Sequence, residues 1–179
     1  GMGLERLTAI LQKHPSNYDS DLLSKIISDT TKIAKTSYGS EKSKDISLKV
    51  IADHSRAATF LINDGVLPSN EGRGYVVRRI IRRALRHGKM LEIEFPFFYR
   101  ITDQVISYFK GAYPELEENR AFINRIIQNE EECFKNTLHY GIQRLDEILT
   151  KAKKSGDSII SGEEIFKLYD TYGFAVDLA

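Results

Sequence analysis

One long stretch of the sequence repeats its apolar residues every three or four positions, which is the spacing of a single helix face. The stretch runs from Leu116 to about Lys153. Its apolar positions are Leu116, Ile123, Ile126, Ile127, Phe134, Leu138, Ile142, Leu145, Ile148 and Leu149. Because a helix this long needs other helices to cover its apolar side, the repeat predicts a helical fold with one long helix. The three glutamates at 130–132 are expected to form a solvated part of its surface.

Shorter segments with helical spacing precede and follow the long one. Helices are predicted over residues 3–12, 21–35, 48–63, 75–87, 95–110 and 163–172. A polar loop is predicted over 38–45, and Ser47 is expected to cap the helix that follows it. Gly88 stands where a glycine commonly ends a helix, and Ser161 with Glu164 forms a capping box before the last helix. No region is rich in strand signals, so the predicted fold class is all-α.

The composition excludes membrane-spanning and disulfide-rich classes of protein. The chain has 179 residues, of which 41% are hydrophobic and 28% are charged, and its apolar runs are only a few residues long. A single cysteine, Cys133, rules out an internal disulfide framework and fits a reducing compartment. The four histidines lack the spacing of metal ligands, and His54 is expected to be hydrogen-bonded or packed between helices. These features predict a soluble cytoplasmic protein with no membrane contact and no metal site of its own.

A cluster of basic residues stands out against an otherwise acidic chain. The stretch at 67–89, LPSNEGRGYVVRRIIRRALRHGK, contains six arginines and one lysine, whereas the whole chain has 26 basic and 25 acidic residues. The rest of the chain therefore carries an acidic excess. A local charge asymmetry of this kind commonly marks a surface that binds a polyanion.

The arginines fall on one side of a helix when successive residues are placed about 100° apart. That side holds Arg78, Arg79, Arg82, Arg83 and Arg86. The other side holds Val76, Val77, Ile80, Ile81, Ala84 and Leu85. Arginine binds phosphate through a planar fork, and small apolar side chains suit a packed interior better than a membrane surface. The pattern favours a nucleic-acid ligand, DNA or RNA. A solvated helix paired with glutamates and a surface for an acidic protein partner are the alternatives.

Three other places on the chain have the residue types of a binding site. Pro68 and the glycines at 72 and 74 predict a tight entry to the basic helix, where the backbone can approach a ligand closely. Asn70 lies in this entry and carries both a donor and an acceptor, although a turn or a cap uses asparagine equally well. Arg6 follows a glycine pair at a helix start, which suits a nucleotide phosphate. Asp170 lies near a helix C-terminus, where the helix dipole disfavours a carboxylate.

Four segments in order along the chain carry a resemblance to a known family. They are GMGLERLTAILQ at 1–12, SNYDSDL at 16–22, VIADHSRAATFLINDGVLPSNEGRGYVVRRIIRRALRHGKML at 50–91 and LYDTYGFAVDL at 168–178. Together they closely resemble alanyl-tRNA synthetases, which are class II aminoacyl-tRNA synthetases. By this resemblance the chain is an internal piece of a longer ligase. The resemblance implies that residues 1–14 are the end of the catalytic domain and contain motif 3. Residues 15–45 would be a helical segment that connects this domain to a helical tRNA-recognition domain at 46–179.

The resemblance also implies a function and the residues that serve it. The family attaches alanine to its tRNA using ATP with Mg²⁺. Gly1, Gly3 and Arg6 match the ATP-binding motif 3. Motifs 1 and 2 would lie upstream, so this chain alone is expected to be inactive, to contain no catalytic residue and to bind no cofactor. Zinc would belong only to an editing domain further along the same polypeptide.

The tRNA contacts that the resemblance implies fall on the basic helix and at the end of the chain. Asn70 and Asp170 match the residues that read a G·U wobble pair in the acceptor stem of alanine tRNA. The RNA backbone would be held by Arg73, Arg78, Arg79, Arg82 and Arg86. The expected partners are this acceptor stem and the catalytic and editing domains of the same polypeptide. The alternative is a basic helical module that binds nucleic acid without discriminating bases.

Overall fold

The computed structural model describes residues 3–155 and 160–170, and these residues form helices and their connections, without a strand. The predicted all-α class is therefore confirmed. The helices are α1 Leu4–Leu11, α2 Asp21–Ala34, α3 Lys42–Asn63, α4 Gly72–Met90, α5 Phe98–Phe109, α6 Glu115–Glu118, α7 Arg120–Ser155 and α8 Gly162–Asp170. A short 3₁₀ turn, Asn17–Asp19, precedes α2. Within the described residues, none of the helices combines the length and the apolar character that crossing a membrane requires.

Most of the long periodic segment forms the predicted long helix, α7, which has 36 residues and begins at Arg120. The predicted start is wrong, because Leu116 lies in the separate short helix α6. The prediction of a loop over 38–45 is wrong in its second half, because α3 already begins at Lys42. Asp45 lies in the first turn of α3, where a carboxylate interacts favourably with the helix dipole. Ser47 is consequently not a cap but a buried residue inside α3, with its Oγ 3.0 Å from Nδ1 of His87.

The basic helix is longer than its sequence pattern predicted, because α4 continues to Met90. The prediction that Gly88 ends the helix is wrong. Gly88 is a buried residue within α4, and a Cβ placed on it would lie 2.0 Å from Cζ of Phe97. The glycine is needed because an aromatic ring packs directly against the helix backbone. The next helix, α5, starts at Phe98 rather than at 95, since the residue before Pro96 is disfavoured in a helix.

The chain forms two compact units, Gly1–Glu131 and Glu132–Ala179. In the first unit, α3 packs along α4 and also contacts α2 and α5. The largest fully buried side chains of this unit are Ile26, Leu48, Ile51, Ile62, Ile81, Leu85, Phe97, Phe98, Ile101, Ile106, Leu116 and Ile123. The core therefore lies between α3 and its neighbours, and it fixes one face of the basic helix.

The second unit contains the rest of α7 and the helix α8. Phe134, Leu138 and Ile148 of α7 are buried. The predicted capping box at the start of α8 is present, because the backbone N–H of Glu164 donates to Oγ of Ser161 at 3.3 Å. The sequence predicted that this helix extends to residue 172, and its last two positions lie outside the described residues.

We expect Gly88→Ala to lower the free energy of unfolding by about 1–3 kcal/mol. An alanine inside a helix is usually about 1 kcal/mol better than a glycine, but here its methyl group would overlap the buried ring of Phe97. Urea denaturation measures the difference. The matched control is Gly111→Ala, because no atom lies within 4 Å of the added Cβ at that position. A Gly88→Ala protein as stable as the wild type would contradict this packing.

Candidate nucleic-acid interface

The packed side of α4 contains most of the apolar residues that the helical wheel placed there. Val77, Ile81, Ala84 and Leu85 are buried, as predicted. The prediction is wrong for Val76, which is 54% exposed. Val76 is at the edge of the apolar arc and shares its side of the helix with residues three and seven positions later, which are arginines. The surface around it is therefore a mixed basic and apolar surface.

The six arginines of the basic stretch divide into two groups. Arg73, Arg79 and Arg83 are exposed, whereas Arg78, Arg82 and Arg86 are only partly exposed. The guanidinium of Arg79 lies 5.8 Å from the ring centroid of Tyr75, which is itself 44% exposed. An outward-facing set of arginines next to an aromatic ring provides both charge and a stacking surface to a nucleic acid.

Glu130 of α7 binds two of the partly buried arginines. Arg82 donates from Nε to Oε1 of Glu130 at 2.7 Å, and Arg78 donates from Nε to Oε2 at 3.3 Å. Glu130 is 5% exposed. Burial of a carboxylate is costly unless it is paired, and here each oxygen accepts a charge-assisted hydrogen bond. Glu130 therefore joins α7 to the basic helix.

Glu131, the next residue of α7, binds the N-terminus of α5. Its Oε1 accepts from the backbone N–H groups of Phe97 at 2.7 Å and Phe98 at 3.1 Å. Glu131 is 1% exposed, and its Oε2 has no hydrogen-bond partner among the described residues. Burial raises the pKa of the Glu131 carboxyl, and the backbone hydrogen bonds counteract this rise only in part. The carboxyl therefore caps the N-terminus of a neighbouring helix from within the protein.

The prediction that residues 130–132 form a solvated surface is wrong for two of the three glutamates. Glu132 does keep 60% of its side chain exposed. A signal for the other two was present in the sequence, because 130 and 131 follow the buried Ile127 by three and four positions. They also precede the buried Phe134 by four and three positions. Both glutamates therefore occupy the apolar stripe of α7, which the acidic composition of the run obscured.

The segment that enters α4 makes a tight turn, but this turn ends before the predicted glycines, because Gly72 and Gly74 already lie in the first turn of α4. A Cβ on the buried Gly74 would lie 2.2 Å from the backbone oxygen of Leu67 and 2.3 Å from Oγ of Ser69. The close approach at Gly74 is therefore made by the chain itself. Asn70 is exposed in this segment, and its Oδ1 accepts a hydrogen bond from Nη1 of Arg78. The asparagine is thereby linked to the arginines of α4 and, through Arg78, to Glu130.

The other predicted site residues lie at the two ends of the chain. Gly1 lies outside the described residues, and Gly3 immediately precedes α1. Arg6 is exposed on α1, and the preceding Glu5 pairs with Nη1 of Arg56 at 2.5 Å. A hydrogen bond from its own backbone and then the Arg56 guanidinium lower the pKa of Glu5. Asp170 is the last residue of α8, and its side chain lies outside the described part of the chain.

Among the residues that the structure describes, the histidines and acidic residues form no cluster with the geometry of a metal site. In the ranges 3–155 and 160–170, no group of three His, Cys, Asp or Glu side chains is arranged to hold a metal ion. Nδ1 of His54 lies 3.1 Å from Oδ2 of Asp53, so the prediction of a hydrogen-bonded histidine is confirmed. This hydrogen bond is the main reason that the pKa of Asp53 is lowered.

These observations define a helical protein with an arginine-rich helix whose partly buried arginines are fixed from inside. A family model described as tRNA synthetases class II (A) matches residues 1–179. The chain therefore belongs to the class II tRNA synthetase family.

Particular relatives in this family are alanine–tRNA ligases. The chain is 52% identical to the one from Geobacillus thermodenitrificans and 51% identical to the one from Halalkalibacterium halodurans. It is 48% identical to the one from Thermoanaerobacter pseudethanolicus. Each match covers 99% of this chain and 20% of the relative. The chain therefore spans about one fifth of the length of these relatives.

We expect Glu131→Gln to gain stability relative to the wild type as the pH rises. The pKa of Glu131 is raised from 4.5 by burial, so above that pH the folded protein retains a proton that the unfolded chain has released. The wild type therefore loses stability as the pH rises through the raised pKa, whereas glutamine does not titrate. The difference in free energy of unfolding should favour the variant more at about pH 7 than at about pH 4.5, as measured by urea denaturation.

The control for this pH dependence is Glu132→Gln, the same substitution at the exposed neighbour. Its stability relative to the wild type should change little over the same range, because the Glu132 side chain is 60% exposed and loses little contact with water on folding. If the advantage of Glu131→Gln were constant with pH, or shrank as the pH rose, the buried environment of Glu131 would be contradicted.

Proposed function

We propose that this chain is the tRNA-contacting part of a longer alanine–tRNA ligase. The observation that carries the proposal is the arginine face of α4 with Asn70 hydrogen-bonded to it through Arg78. The names of the relatives supply the reaction, which is the attachment of alanine to tRNA. The chain matches one fifth of their length, so we assign the aminoacylation itself to the longer protein and expect this chain alone to be inactive. We place the longer protein in the cytoplasm.

In this proposal the arginines position the acceptor stem of the tRNA. The exposed Arg73 and Arg79 bind phosphates directly, and the partly exposed Arg78, Arg82 and Arg86 bind them from the edge of the same face. Guanidinium groups suit this role because each can donate two hydrogen bonds to one phosphate. Contacts to phosphate set the register of a nucleic acid and carry no base information by themselves.

Asn70 and Asp170 would read the G·U wobble pair. Duplex RNA presents its base edges in a wide, shallow minor groove, where a wobble pair leaves the guanine amino group without its usual partner. An ionised aspartate can only accept, so Asp170 matches that amino group. Asn70 carries both donors and an acceptor and can bond the uracil or the guanine. Each contact would discriminate against a Watson–Crick pair by about 1–3 kcal/mol, on the scale of DNA base contacts.

The first residues of the chain would bind ATP. Gly3 lies at the N-terminus of α1, and the exposed guanidinium of Arg6 on the same helix fits a contact with an ATP phosphate. Gly1 would complete this motif. ATP with Mg²⁺ would bind only where the rest of the catalytic domain is present, and zinc would belong to the editing domain of the longer polypeptide. We accordingly assign 1–14 to the catalytic domain, 15–45 to a connection and 46–179 to tRNA recognition.

The proposal is tested by titrating the 179-residue chain with two acceptor-stem RNA hairpins that differ only in carrying G·U or G·C. We expect tighter binding of the G·U hairpin, measured by fluorescence anisotropy. Asn70→Ala and Asp170→Ala should each reduce this preference without changing how affinity depends on salt, because neither residue neutralises a phosphate.

The control for phosphate binding is Arg79→Gln. This substitution should weaken the binding of both hairpins equally, and it should lower the slope of log affinity against log salt by about one. If the two hairpins bind alike at every salt concentration, the chain is a basic module without base discrimination. If neither hairpin binds above background, the arginine face serves a protein partner instead, and the proposal is wrong.

A further inference from the structure

We propose that Glu130 is a positioning residue for base reading, which acts on Asn70 through Arg78. The inference rests on the proposed function, because it concerns the same RNA-binding site. It goes beyond that function because Glu130 is buried and would touch no RNA itself. Its role would be to fix the direction in which the exposed asparagine presents its amide.

The carboxylate of Glu130 has a fixed position. Glu130 is 5% exposed, and both of its oxygens accept hydrogen bonds, Oε1 from Arg82 and Oε2 from Arg78. It also lies on the buried stripe of α7, three positions after Ile127. The carboxylate is therefore held both by the packing of its own helix and by two guanidinium groups of α4.

Arg78 connects the fixed carboxylate of Glu130 to Asn70. The guanidinium is planar and rigid, so a hydrogen bond at Nε also determines where the Nη atoms lie. In Arg78 the Nε bonds Glu130 and the Nη1 donates to Oδ1 of Asn70. One side chain thus spans from a buried carboxylate to an exposed amide. A lysine at this position would keep the charge but could not connect two partners through a rigid plane.

The orientation of the Asn70 amide follows from its hydrogen bond to Arg78. The two ends of an asparagine amide have nearly the same shape, so only hydrogen bonding decides which atom is which. Arginine can only donate, and the atom that faces Arg78 must therefore be the oxygen. This leaves the Nδ2 group as the donor end, directed away from Arg78. An amide held in this way favours a hydrogen-bond acceptor on the RNA, such as a uracil carbonyl oxygen. An amide that rotates freely would bind a donor or an acceptor equally well.

Arg82 extends the same arrangement to the phosphate contacts. Its Nε is bound to Glu130 at 2.7 Å, which leaves the Nη groups of a partly exposed guanidinium for a phosphate. The distance between a phosphate contact at Arg82 and the amide at Asn70 is then determined by one buried carboxylate. Glu130 would in this way relate the register of the RNA backbone to the base that is read.

The test substitutes Glu130→Gln and compares it with Glu132→Gln, the same change at the exposed neighbouring residue of α7. The preference for the G·U over the G·C hairpin should fall about fivefold or more in Glu130→Gln and remain in Glu132→Gln. The salt slope should be unchanged or steeper, because a carboxylate that competes with phosphate has been removed. A merely structural role would weaken both hairpins equally and leave the preference intact, which would overturn the inference.

A spectroscopic measurement separates this inference from the proposed function. The side-chain amide signals of Asn70 in a ¹H–¹⁵N NMR spectrum of the free chain should move in Glu130→Gln and stay in place in Glu132→Gln. If the wild type shows no preference between hairpins, the proposed function fails, and the amide signals still test the positioning. Unmoved Asn70 signals in Glu130→Gln would overturn the inference whatever the hairpins show.

A second variant covers the case in which Glu130→Gln does not fold. Arg78→Lys keeps Glu130 and the charge of the arginine face but removes the rigid connection to Asn70. It should reduce the G·U preference by a similar factor and move the same amide signals, with circular dichroism showing an intact helical fold. If Arg78→Lys retains the full preference for the G·U hairpin, the inference that Glu130 acts on Asn70 through Arg78 is wrong.

Discussion

The ion pairs of Glu130 with Arg78 and Arg82 determine how the basic helix is held. They bind α7 to α4 on the side of α4 that lies next to its exposed arginines. Glu131 binds α7 to the N-terminus of α5. Two adjacent carboxylates thus connect three helices of the first unit. The hydrophobic core fixes one face of α4, and Glu130 fixes the neighbouring face. The outward arginines Arg79 and Arg83 remain exposed.

This arrangement explains how a helix with many like charges is stable in the free protein. Five arginines on one side of a helix repel one another unless counter-charge is close. The buried carboxylate of Glu130 compensates part of that repulsion at Arg78 and Arg82, and Asp53 interacts electrostatically with Arg83. Arg79 and Arg83 remain exposed. A protein that neutralised the whole face with surface glutamates would have to release them before binding a phosphate. In this chain the compensating carboxylate of Glu130 is buried rather than placed on the surface.

The sequence allowed the helices and the basic surface to be predicted because both depend on local spacing. Six arginines within a short stretch and a long apolar repeat are visible without knowledge of the fold. Three features depend on contacts between distant segments and were predicted wrongly. The sequence predicts a helix end at Gly88, whereas the residue that requires the glycine, Phe97, lies in the next segment. The sequence predicts a cap at Ser47, whose side chain instead contacts His87. It predicts a solvated Glu130, whose partners lie on α4.

The most direct test of this account is a double-mutant cycle between Glu130 and Arg82, each replaced by methionine, with urea denaturation as the measurement. Each single variant leaves a charge that has lost a partner, so we expect the two effects to be non-additive by about 1 kcal/mol or more. The same cycle between Glu132 and Arg82 should be additive within about 0.5 kcal/mol. Additive effects for Glu130 and Arg82 would contradict the central claim that a buried carboxylate organises the arginine face.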